Sequence, residues 1–599
     1  MANQNGNELK GVSRRDFIKT TGAGALAVGL GANVFDTGWA EANQAVAAST
    51  FAGEGLPPKP YNVMVILTDQ EQNIPELLGK GHWPGRDRLA KMGTTFENHQ
   101  ICSAVCTPSR SVIFTGQHIQ HTRMFDNTNF PWVDPLSFDI PTIGHMMRDA
   151  GYFTTYHGKF HLNHEMDVPI KEGKKTLLGN EIMDKYGFSD FNGLGDDIGM
   201  TLGGYHYDQV STATAQGWLR QYGQALNKED KPWFLTLGLV NPHDAMFFNT
   251  DEPGQDVQKA PHLAFDIKRD PEDKIYKKQW DYPLSPSRKQ PWDDPGRPQA
   301  HKEFQKCRQA LVGQFPNEDA RWKRLQNYYL NCISDSDRKV DRILTELDNL
   351  GMMDNTIVIF TADHGELCGA HGMHGKGSDA YREQNNVPYI IYHPDIQGGR
   401  KCKSLTSHVD LIPTILAMTG ADKKQKPEVM KNLHGHDISP VLKNPEKAPH
   451  DAIRDGALYC FGMWCYMDGD WMKKVTPILA SGKKLDLNTM PKPDINKRSA
   501  IRSIFDGRYK FSRYFNPQQH NRPTTIEQIY EVNDVELYDL EKDPHELNNL
   551  ALDKKANDLL IMAMNDKMNK LIDKEVGSDK GEGLPDIKNV NWAFDRFDA

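Results

Sequence analysis

The stretch "YNVMVILTDQ", residues 61–70, decides the fold class. It is a short apolar run rich in β-branched side chains, and it ends on the polar pair Asp69 and Gln70. An apolar run without polar alternation is typical of a strand buried on both faces, as in a parallel sheet covered by helices. Similar runs occupy residues 233–243, 355–365 and 387–395. We predict that all four are buried parallel strands.

Segments with helical periodicity separate these runs. In residues 321–350, apolar side chains recur at the spacing of one helix face, and Gly351 follows as a helix stop. Strands that alternate with helices indicate an α/β domain. We therefore predict a large, mostly parallel sheet flanked by helices.

The pattern changes after about residue 450, where short runs with tight turns favour antiparallel strands. The expected strands lie in 457–475, 503–515 with a turn at Asp506–Gly507, and 535–544, and a helix is expected in 544–574. This pattern predicts a smaller C-terminal α+β domain that contains an antiparallel sheet.

The predicted domain organisation has three parts. Residues 1–48 are a signal peptide, 49–450 form the catalytic α/β domain, and 451–599 form the C-terminal domain and tail. Residues 245–320 are rich in Pro, Asp and Lys, and we predict a surface insertion there that shapes the mouth of a site; a disordered linker is the alternative. The aromatic tail at 584–599 is a candidate arm for a homo-oligomer.

The N-terminus resembles a twin-arginine export signal. Arg14 and Arg15 precede a small-residue apolar stretch, and A-x-A cleavage sites follow at 40–42 and near Ala48. The alternative is a short helix of the fold, which the glycine content disfavours. We predict transport by the Tat machinery to a periplasmic or secreted location. Export of a folded chain also allows a residue to be modified before transport.

Bulk composition excludes several classes of protein. The 599 residues carry a net charge of −9, so no basic excess is available to neutralise nucleic-acid phosphates. Eight cysteines over this length do not make a disulfide scaffold. No apolar run in the main body reaches the roughly 18 residues of a membrane span.

Polar residues follow three of the predicted strands. They are Asp69-Gln70, the segment 241–244 with His243, and Asp363-His364. Ligands of open α/β sheets bind beyond the carboxyl ends of the strands. Carboxylate and amide oxygens suit a hard divalent cation and tolerate a histidine nitrogen beside them. The sequence therefore predicts a metal site at this edge.

The stretch "CSAVCTPSRSVIFTG", residues 102–116, places Cys106 at or just before a helix N-terminus, beside Arg110. That environment favours negative charge on the residue or on a bound anion. A zinc site lacks a second ligand pair, and the spacing from either cysteine to Arg110 does not match a tyrosine-phosphatase loop. A structural cysteine remains open.

The segment C-x-P-S-R at 106–110 resembles the signature of the type I sulfatases, within the alkaline phosphatase superfamily. Further elements similar to that family follow the expected order: "NVMVILTDQ" (62–70), "GYFTTYHGKFHL" (151–162), "NPHD" (241–244), "TADHGE" to "HGMHGKG" (361–377), "SHVDLIPTIL" (407–416) and "LYDLEKDPHELNNLA" (537–551). The resemblance covers nearly all of 60–551. It implies an alkaline-phosphatase-like fold and a sulfuric ester hydrolase of arylsulfatase type that acts on a sulfate-ester substrate.

The resemblance also implies that Cys106 is a precursor. A formylglycine-generating enzyme would oxidise it to 3-oxoalanine, whose hydrate attacks sulfur while held on one divalent metal ion. By motif position, the implied metal ligands are Asp69, Gln70, Asp363, His364 and residue 106. Calcium is the first choice of metal, with manganese or magnesium as alternatives.

The remaining site roles come from the same resemblance. Arg110 would hold the formylglycine hydrate, and Lys159 and Lys376 would bind sulfate oxygens. His161 matches the base that regenerates the aldehyde. His243 matches the acid for the leaving group, a role shared with Lys376. Asn127 falls where related enzymes place a polar site residue.

Two departures from the common sulfatase pattern keep alternatives open. Gln70 and His364 stand where many sulfatases carry Asp and Asn, and this pair resembles the phosphonate monoester hydrolase and choline-sulfatase side of the family. A phosphonate monoester or phosphodiester hydrolase is therefore the second hypothesis. Lys159 and His161 favour sulfate esters, because phosphonate hydrolases of that branch lack them. A non-catalytic binding protein with the same fold is the third hypothesis.

Overall fold

The structure is a computed structural model. It describes residues 56–585 except 168–174, 194–200, 259–265, 315, 482–489, 519–521, 580 and 582–583. The signal segment 1–48 and most of the tail 584–599 lie outside the described residues, as does the proposed role of that tail.

Eight strands form the larger sheet. They are β1 (Asn62–Asp69), β2 (Thr94–Gln100), β3 (Phe153–Gly158), β4 (Asp190–Asn192), β5 (Trp233–Pro242), β6 (Thr356–Ala362), β7 (Tyr389–Tyr392) and β8 (Arg400–Ser407). Their order is β4-β3-β5-β1-β6-β7-β2-β8. The stretch 61–70 therefore contains a central strand, β1, with β5 and β6 parallel on its two sides.

Strand β7 departs from the predicted direction. It pairs antiparallel with both β6 and β2, so the prediction of a parallel strand in 387–395 is wrong. The chain leaves β6 at the carboxyl edge of the sheet, and no long crossover helix returns it to the opposite edge before β7 begins. A strand that starts at the edge where its predecessor ended must run back antiparallel.

Strand β1 explains why the sheet is covered on both faces. Val63, Val65 and Leu67 pack into one hydrophobic cluster, while Met64 and Ile66 pack into a second. Successive side chains of a strand point to opposite faces, so an unbroken apolar run requires apolar layers above and below the sheet. The predicted mostly parallel sheet flanked by helices is confirmed.

Helices supply those layers. Their bounds are α1 (Pro84–Met92), α2 (Cys106–Thr115), α3 (Ile119–Thr122), α4 (Ile143–Asp149), α5 (Lys175–Lys185), α6 (Gly203–Trp218), α7 (Gln224–Lys228), α8 (Gln299–Val312), α9 (Asp319–Asn349), α10 (Arg382–Asn385), α11 (Leu411–Thr419), α12 (Pro427–Lys431), α13 (Ser439–Leu442), α14 (Gly469–Ala480), α15 (Ile526–Val532) and α16 (Lys554–Glu575). Helix α9 confirms the prediction for 321–350. Within the described ranges, none of the helices combines the length and apolar character needed to cross a lipid bilayer.

The segment 245–320 is only partly a surface insertion. It ends in helix α8, where Ala300, Phe304, Cys307 and Leu311 are buried. Sequence composition pointed to a surface segment because Pro and charged residues dominate its first part. The amphipathic stretch at its end instead packs into the body of the protein.

The C-terminal part contains a four-stranded antiparallel sheet, as predicted. Its strands are β9 (Ala457–Phe461), β10 (Ala500–Phe505), β11 (Tyr509–Phe515) and β12 (Asn533–Asp539), in the order β12-β11-β10-β9. A turn containing Asp506 and Gly507 joins β10 to β11. The strand predicted for 457–475 ends at Phe461, and its second half begins helix α14, which Asp468 caps through its side chain. The boundary at 450 stays a prediction.

Helix α2 is enclosed between the two sheets. All ten of its residues are buried. Ile113 and Phe114 pack into the core of the larger sheet, whereas Val112 joins a cluster that contains Leu458 and Phe511 of the smaller sheet. The helix that starts at Cys106 is therefore held from both sides.

A buried ion network ties the C-terminal helix α16 to the larger part. The Arg454 guanidinium pairs with Asp410 at 2.5 Å and with Glu575 at 3.1 Å. His118, which precedes α3, bonds the other oxygen of Glu575 at 2.8 Å. Burial opposes ionisation of Glu575, but the charges of Arg454 and His118 outweigh it and lower its pKa to about 2.

Replacing Arg454 by Met should lower the free energy of unfolding by about 3–5 kcal/mol, because two buried carboxylates lose their cation. The stabilisation from ionised Glu575 is present above its ordinary pKa of 4.5 and is lost as pH falls towards about 2. Urea unfolding between those pH values should show this loss in the wild type and a weaker pH dependence in R454M.

The matched control is Arg148→Met, which removes an exposed pair with Asp184. It should change the free energy of unfolding by less than about 1 kcal/mol. Equal effects of the two variants would contradict a stabilising role for the buried network.

Candidate metal and active site

Two strand ends meet to form the floor of the site. The backbone N–H of Asp363, just after β6, donates to the carbonyl of Thr68 in β1 at 3.1 Å. The backbone N–H of Gln70 in turn donates to Asp363 Oδ1 at 3.1 Å. Because β1 and β6 are parallel neighbours, their carboxyl ends bring Asp69, Gln70, Asp363 and His364 together, as the sequence predicted.

Helix α2 adds Cys106 to this floor. The helix begins at Cys106, which confirms the predicted position at a helix N-terminus. Its sulfur lies 3.6 Å from Asp69 Oδ1 and 3.3 Å from His364 Nε2. The positive end of the helix dipole faces this point and favours negative charge there.

Arg110 lies one turn into the same helix and holds both acidic residues. Its Nε donates to Asp363 Oδ2 at 2.8 Å, and one terminal nitrogen donates to Asp69 Oδ2 at 3.1 Å. The other terminal nitrogen donates to the carbonyl of Lys159 at 2.9 Å. Arg110 thereby occupies the outer oxygen of each carboxylate and leaves the Oδ1 atoms facing the cluster.

Two lysines approach the cluster from different loops. Lys159 follows β3, and its ammonium donates to Asp69 Oδ2 at 2.5 Å and lies 4.0 Å from the Cys106 sulfur. The Lys376 ammonium donates to the side-chain oxygen of Gln70 and lies 3.7 Å from Met246 Sδ. Both lysines are buried, so their charges act at low effective dielectric.

Two histidines complete the cluster. His161 Nε2 lies 2.7 Å from the side-chain oxygen of Asn129. Burial, with the charges of Lys159 and Arg110, lowers the pKa of His161 well below its usual 6.5. His243 follows β5 and is buried; burial, with Lys376 and Lys159, lowers its pKa well below 6.5 too. Both rings are therefore held neutral.

The two carboxylates differ in acidity. Burial opposes the charge of Asp69, but the charges of Lys159 and Arg110 outweigh it and hold the pKa of Asp69 well below its usual range. Burial and the charge of Asp69 raise the pKa of Asp363 to about 7. Burial and Asp69 also raise the pKa of the Cys106 thiol to about 12, so an unmodified thiol here is neutral and a weak nucleophile.

The donor set fits a divalent metal ion. Ligand atoms of Asp69, Cys106, Asp363 and His364 all lie within 4.8 Å of one another, and all four residues are buried. Two carboxylates suit calcium or magnesium, and an imidazole nitrogen extends the range to manganese. The individual ligand roles and the identity of the metal remain predictions.

The structure adds residues that sequence reasoning did not assign. Glu366 accepts from the Gln70 side-chain amide and from the backbone N–H groups of Cys368 and Gly375. Asn129 bonds His161, and no motif in the sequence points to it. Asn127, singled out by position, accepts from the Thr107 N–H at 3.1 Å beside Cys106.

The fold and the buried cluster define an α/β protein with a candidate metal-dependent site at the carboxyl ends of its central strands. The model of the Sulfatase family matches residues 61–421, more than half of the chain. The chain therefore belongs to the Sulfatase family.

Individual relatives are similar but distant. The N-acetylglucosamine-6-O-sulfatase of Bacteroides thetaiotaomicron is 27% identical over 405 residues, which are 61% of this chain and 68% of that protein. The chain spans only 32% and 63% of the length of two other curated sulfatases that it matches.

Solved structures share the fold. A 2-O GAG sulfatase, BT1596, gives a TM-score of 0.60 at 18% identity and covers 86% of this chain and 93% of its own. The phosphonate monoester hydrolase of Silicibacter pomeroyi gives 0.59 at 19% identity, covering 87% and 96%.

The prediction of a twin-arginine export signal is confirmed by a second match. The model of the twin-arginine translocation pathway signal sequence matches residues 11–31. The chain is therefore exported by the twin-arginine route to a periplasmic or secreted location.

Replacing Glu366 by Gln should weaken divalent-metal binding by about 10–100-fold, the usual effect of losing a residue that orients a ligand. Glu366 accepts on both oxygens, and an amide in its place would face one donor with another donor. Metal titration of the purified protein measures the effect. E536Q, at a buried carboxyl that accepts from Tyr381 and Tyr514 away from the cluster, is the control and should bind metal as the wild type does. Unchanged divalent-metal affinity in E366Q would show that Gln70 does not depend on its hydrogen bond to Glu366.

Proposed function

We propose that this protein hydrolyses sulfate monoesters with a formylglycine made from Cys106 and one divalent metal ion. The observation that carries the proposal is the convergence of Cys106 with Asp69, Asp363 and His364 at the start of helix α2. The environment of Cys106 supports conversion rather than direct use, because burial makes the thiol a poor nucleophile.

Asp69, Gln70, Asp363, His364 and residue 106 would hold the metal, with calcium as the first choice and manganese or magnesium as alternatives. When bound, the metal and the formylglycine together would supply a nucleophilic oxygen of lowered pKa and charge neutralisation for sulfate. A formylglycine-generating enzyme is the implied partner, and it would act before export.

Arg110 has a positioning role in this proposal. It is completely buried and bonds both carboxylates and the Lys159 carbonyl. Those bonds fix the direction of the carboxylate oxygens that face residue 106. The geometry therefore orients the metal ligands before substrate arrives, which avoids reorganisation during the reaction.

Lys159 and Lys376 are proposed to bind the sulfate oxygens. Their ammonium groups approach from β3 and from the loop after β6, and both are within reach of the cluster. A sulfate group between them would exchange its water shell for fixed charges in a buried site. The near-complete burial of Cys106, His161 and Lys376 also restricts access of bulk water.

The two histidines divide the proton transfers. The bond from His161 Nε2 to Asn129 Oδ1 assigns the hydrogen to Nε2, which makes Nδ1 the proton acceptor. A neutral His161 suits a base. For the leaving group we assign His243 together with Lys376. An anionic ester between the lysines would counter their charge and raise the pKa of His243, so that it could donate.

Mass spectrometry of the peptide containing residue 106 tests the modification. We expect a loss of about 18 Da relative to cysteine, which is the change from thiol to aldehyde. Replacement of Cys106 by Ala should reduce kcat for an aryl sulfate by about 10⁴–10⁶-fold, the scale of losing a nucleophile. The control, Cys102→Ala, removes a buried thiol that hydrogen-bonds the Ser407 side chain and lies outside the cluster, and it should keep turnover. Intact cysteine at 106 in fully active enzyme would contradict the mechanism.

A phosphonate monoester or phosphodiester hydrolase is the second candidate. The observation that favours it is the charge of the site, where three cations (Arg110, Lys159 and Lys376) surround two carboxylates. Such an excess tolerates the larger charge of a phosphoryl transition state. Lys159 and His161 still favour sulfate.

Comparing kcat/KM for an aryl sulfate, a phosphonate monoester and a phosphodiester on the same leaving group separates the two activities. We expect the sulfate to lead by at least about tenfold, which is about 1.4 kcal/mol in transition-state binding. A lead for the phosphonate would reverse the assignment.

A further inference from the structure

Among the described residues, Arg308 has fewer hydrogen-bond and charged partners than the other fully buried arginines. Arg86, Arg110, Arg308 and Arg513 are among the largest fully buried side chains. Arg86 and Arg110 each pair with two carboxylates, and Arg513 donates to two asparagine side chains. Arg308 pairs with no carboxylate in the described part of the chain.

The guanidinium of Arg308 is left with unused donors. One terminal nitrogen lies 3.3 Å from His374 Nδ1. Its Nε and its other terminal nitrogen have no hydrogen-bond partner among the described residues. Arginine stays charged in proteins, and a buried charge without a counter-ion costs several kcal/mol. The described residues therefore supply no anion to offset the charge of Arg308.

Arg308 lies beside the loop that carries Lys376. A Cβ placed on Gly375 would come within 2.5 Å of Arg308 Cζ, so the guanidinium rests directly on the backbone before Lys376. Phe304, one turn earlier on helix α8, makes the equivalent close approach to Gly377. Helix α8 thus contacts the chain on both sides of a proposed sulfate-binding lysine.

A second route leads from Arg308 to Cys106. The Tyr466 hydroxyl lies beside the guanidinium. The backbone N–H of the preceding residue, Cys465, donates to Asp126 Oδ2 at 3.1 Å. Asn127 follows and accepts from the Thr107 N–H. Arg308 is therefore connected through neighbouring residues to the region of Cys106 by one path and to Lys376 by the other.

The depth of Arg308 matches that of the catalytic cluster. Arg308 and Lys159 are 0% exposed, Cys106 is 1% and Lys376 is 2% exposed. Water is therefore largely excluded from both places, and an anion beside Arg308 would interact strongly with its charge.

We propose that Arg308 binds a second anionic group, a carboxylate or a further sulfate, on the leaving group of the substrate. The proposal rests on the sulfate-ester hydrolysis proposed above and narrows its substrate class to esters that carry at least one additional oxyanion. Guanidinium is suited to this task because its planar donors match carboxylate and sulfate oxygens and its charge cannot be lost.

The test compares matched substrates on formylglycine-verified enzyme. The probes are nitrophenyl sulfate and its derivatives that bear a carboxylate or a sulfonate at each open ring position. We expect kcat/KM for at least one anionic derivative to exceed that of the parent by about 10–100-fold, the range of one charge-assisted hydrogen bond. The carboxylate and sulfonate arms identify which oxyanion is preferred.

Variants assign the preference to Arg308. R308M should bring the ratio of anionic to parent kcat/KM close to one, mainly through KM, and R308K should retain part of it. The control is R321M, which removes another buried arginine that pairs with Asp251 and Glu318; it should keep the wild-type ratio. If R308M does not fold, the ratio of anionic to parent kcat/KM in R308K and in the wild type still tests the role of Arg308.

The outcomes distinguish a failure of the proposed anion binding by Arg308 from a failure of the proposed sulfate-ester hydrolysis. Turnover of the parent ester without preference for any anionic derivative would overturn the role of Arg308 and leave the sulfatase assignment intact. A preference that persists in R308M would overturn it as well. No turnover of any sulfate ester would overturn the proposed function itself.

Discussion

The site depends on the neutralisation of two buried carboxylates by one buried arginine. Asp69 and Asp363 end adjacent parallel strands, and without a cation their mutual repulsion and desolvation would disfavour the folded state. Arg110 bonds both. Because it lies one turn beyond Cys106 on the same helix, the ion pairs that stabilise the strand ends also fix the position of residue 106.

The C-terminal sheet matters for the same reason. Helix α2 has no exposed face: its side chains divide between the core of the larger sheet and the cluster beneath the smaller one. The carbonyl of Cys102, just before the helix, also accepts a backbone hydrogen bond from Cys460 in β9. The smaller sheet thus encloses the helix that carries Cys106.

Much of this arrangement could be predicted from local sequence. The apolar runs and their polar ends located β1, β5 and β6, and the proline and serine after Cys106 located the helix start. The direction of β7 could not be predicted, because it depends on the edge at which the preceding loop leaves the chain. The burial of α8 was hidden by the polar composition of the segment before it. Gln70 beside Glu366, His161 beside Asn129 and His374 beside Arg308 come from segments remote in sequence.

The sequence by itself determined the class of fold, the strand ends that carry the polar residues and the residue types available for the proposed metal and sulfate sites. It could do so because period, propensity and capping are local properties of the chain. Only the tertiary structure decided which atoms of those residues face one another. It placed Arg110 on the outer carboxylate oxygens, Glu366 behind Gln70, and Arg308 beside Gly375 with no carboxylate partner among the described residues. These pairings follow from long-range packing, in which burial makes each unsatisfied charge costly and so selects its partner.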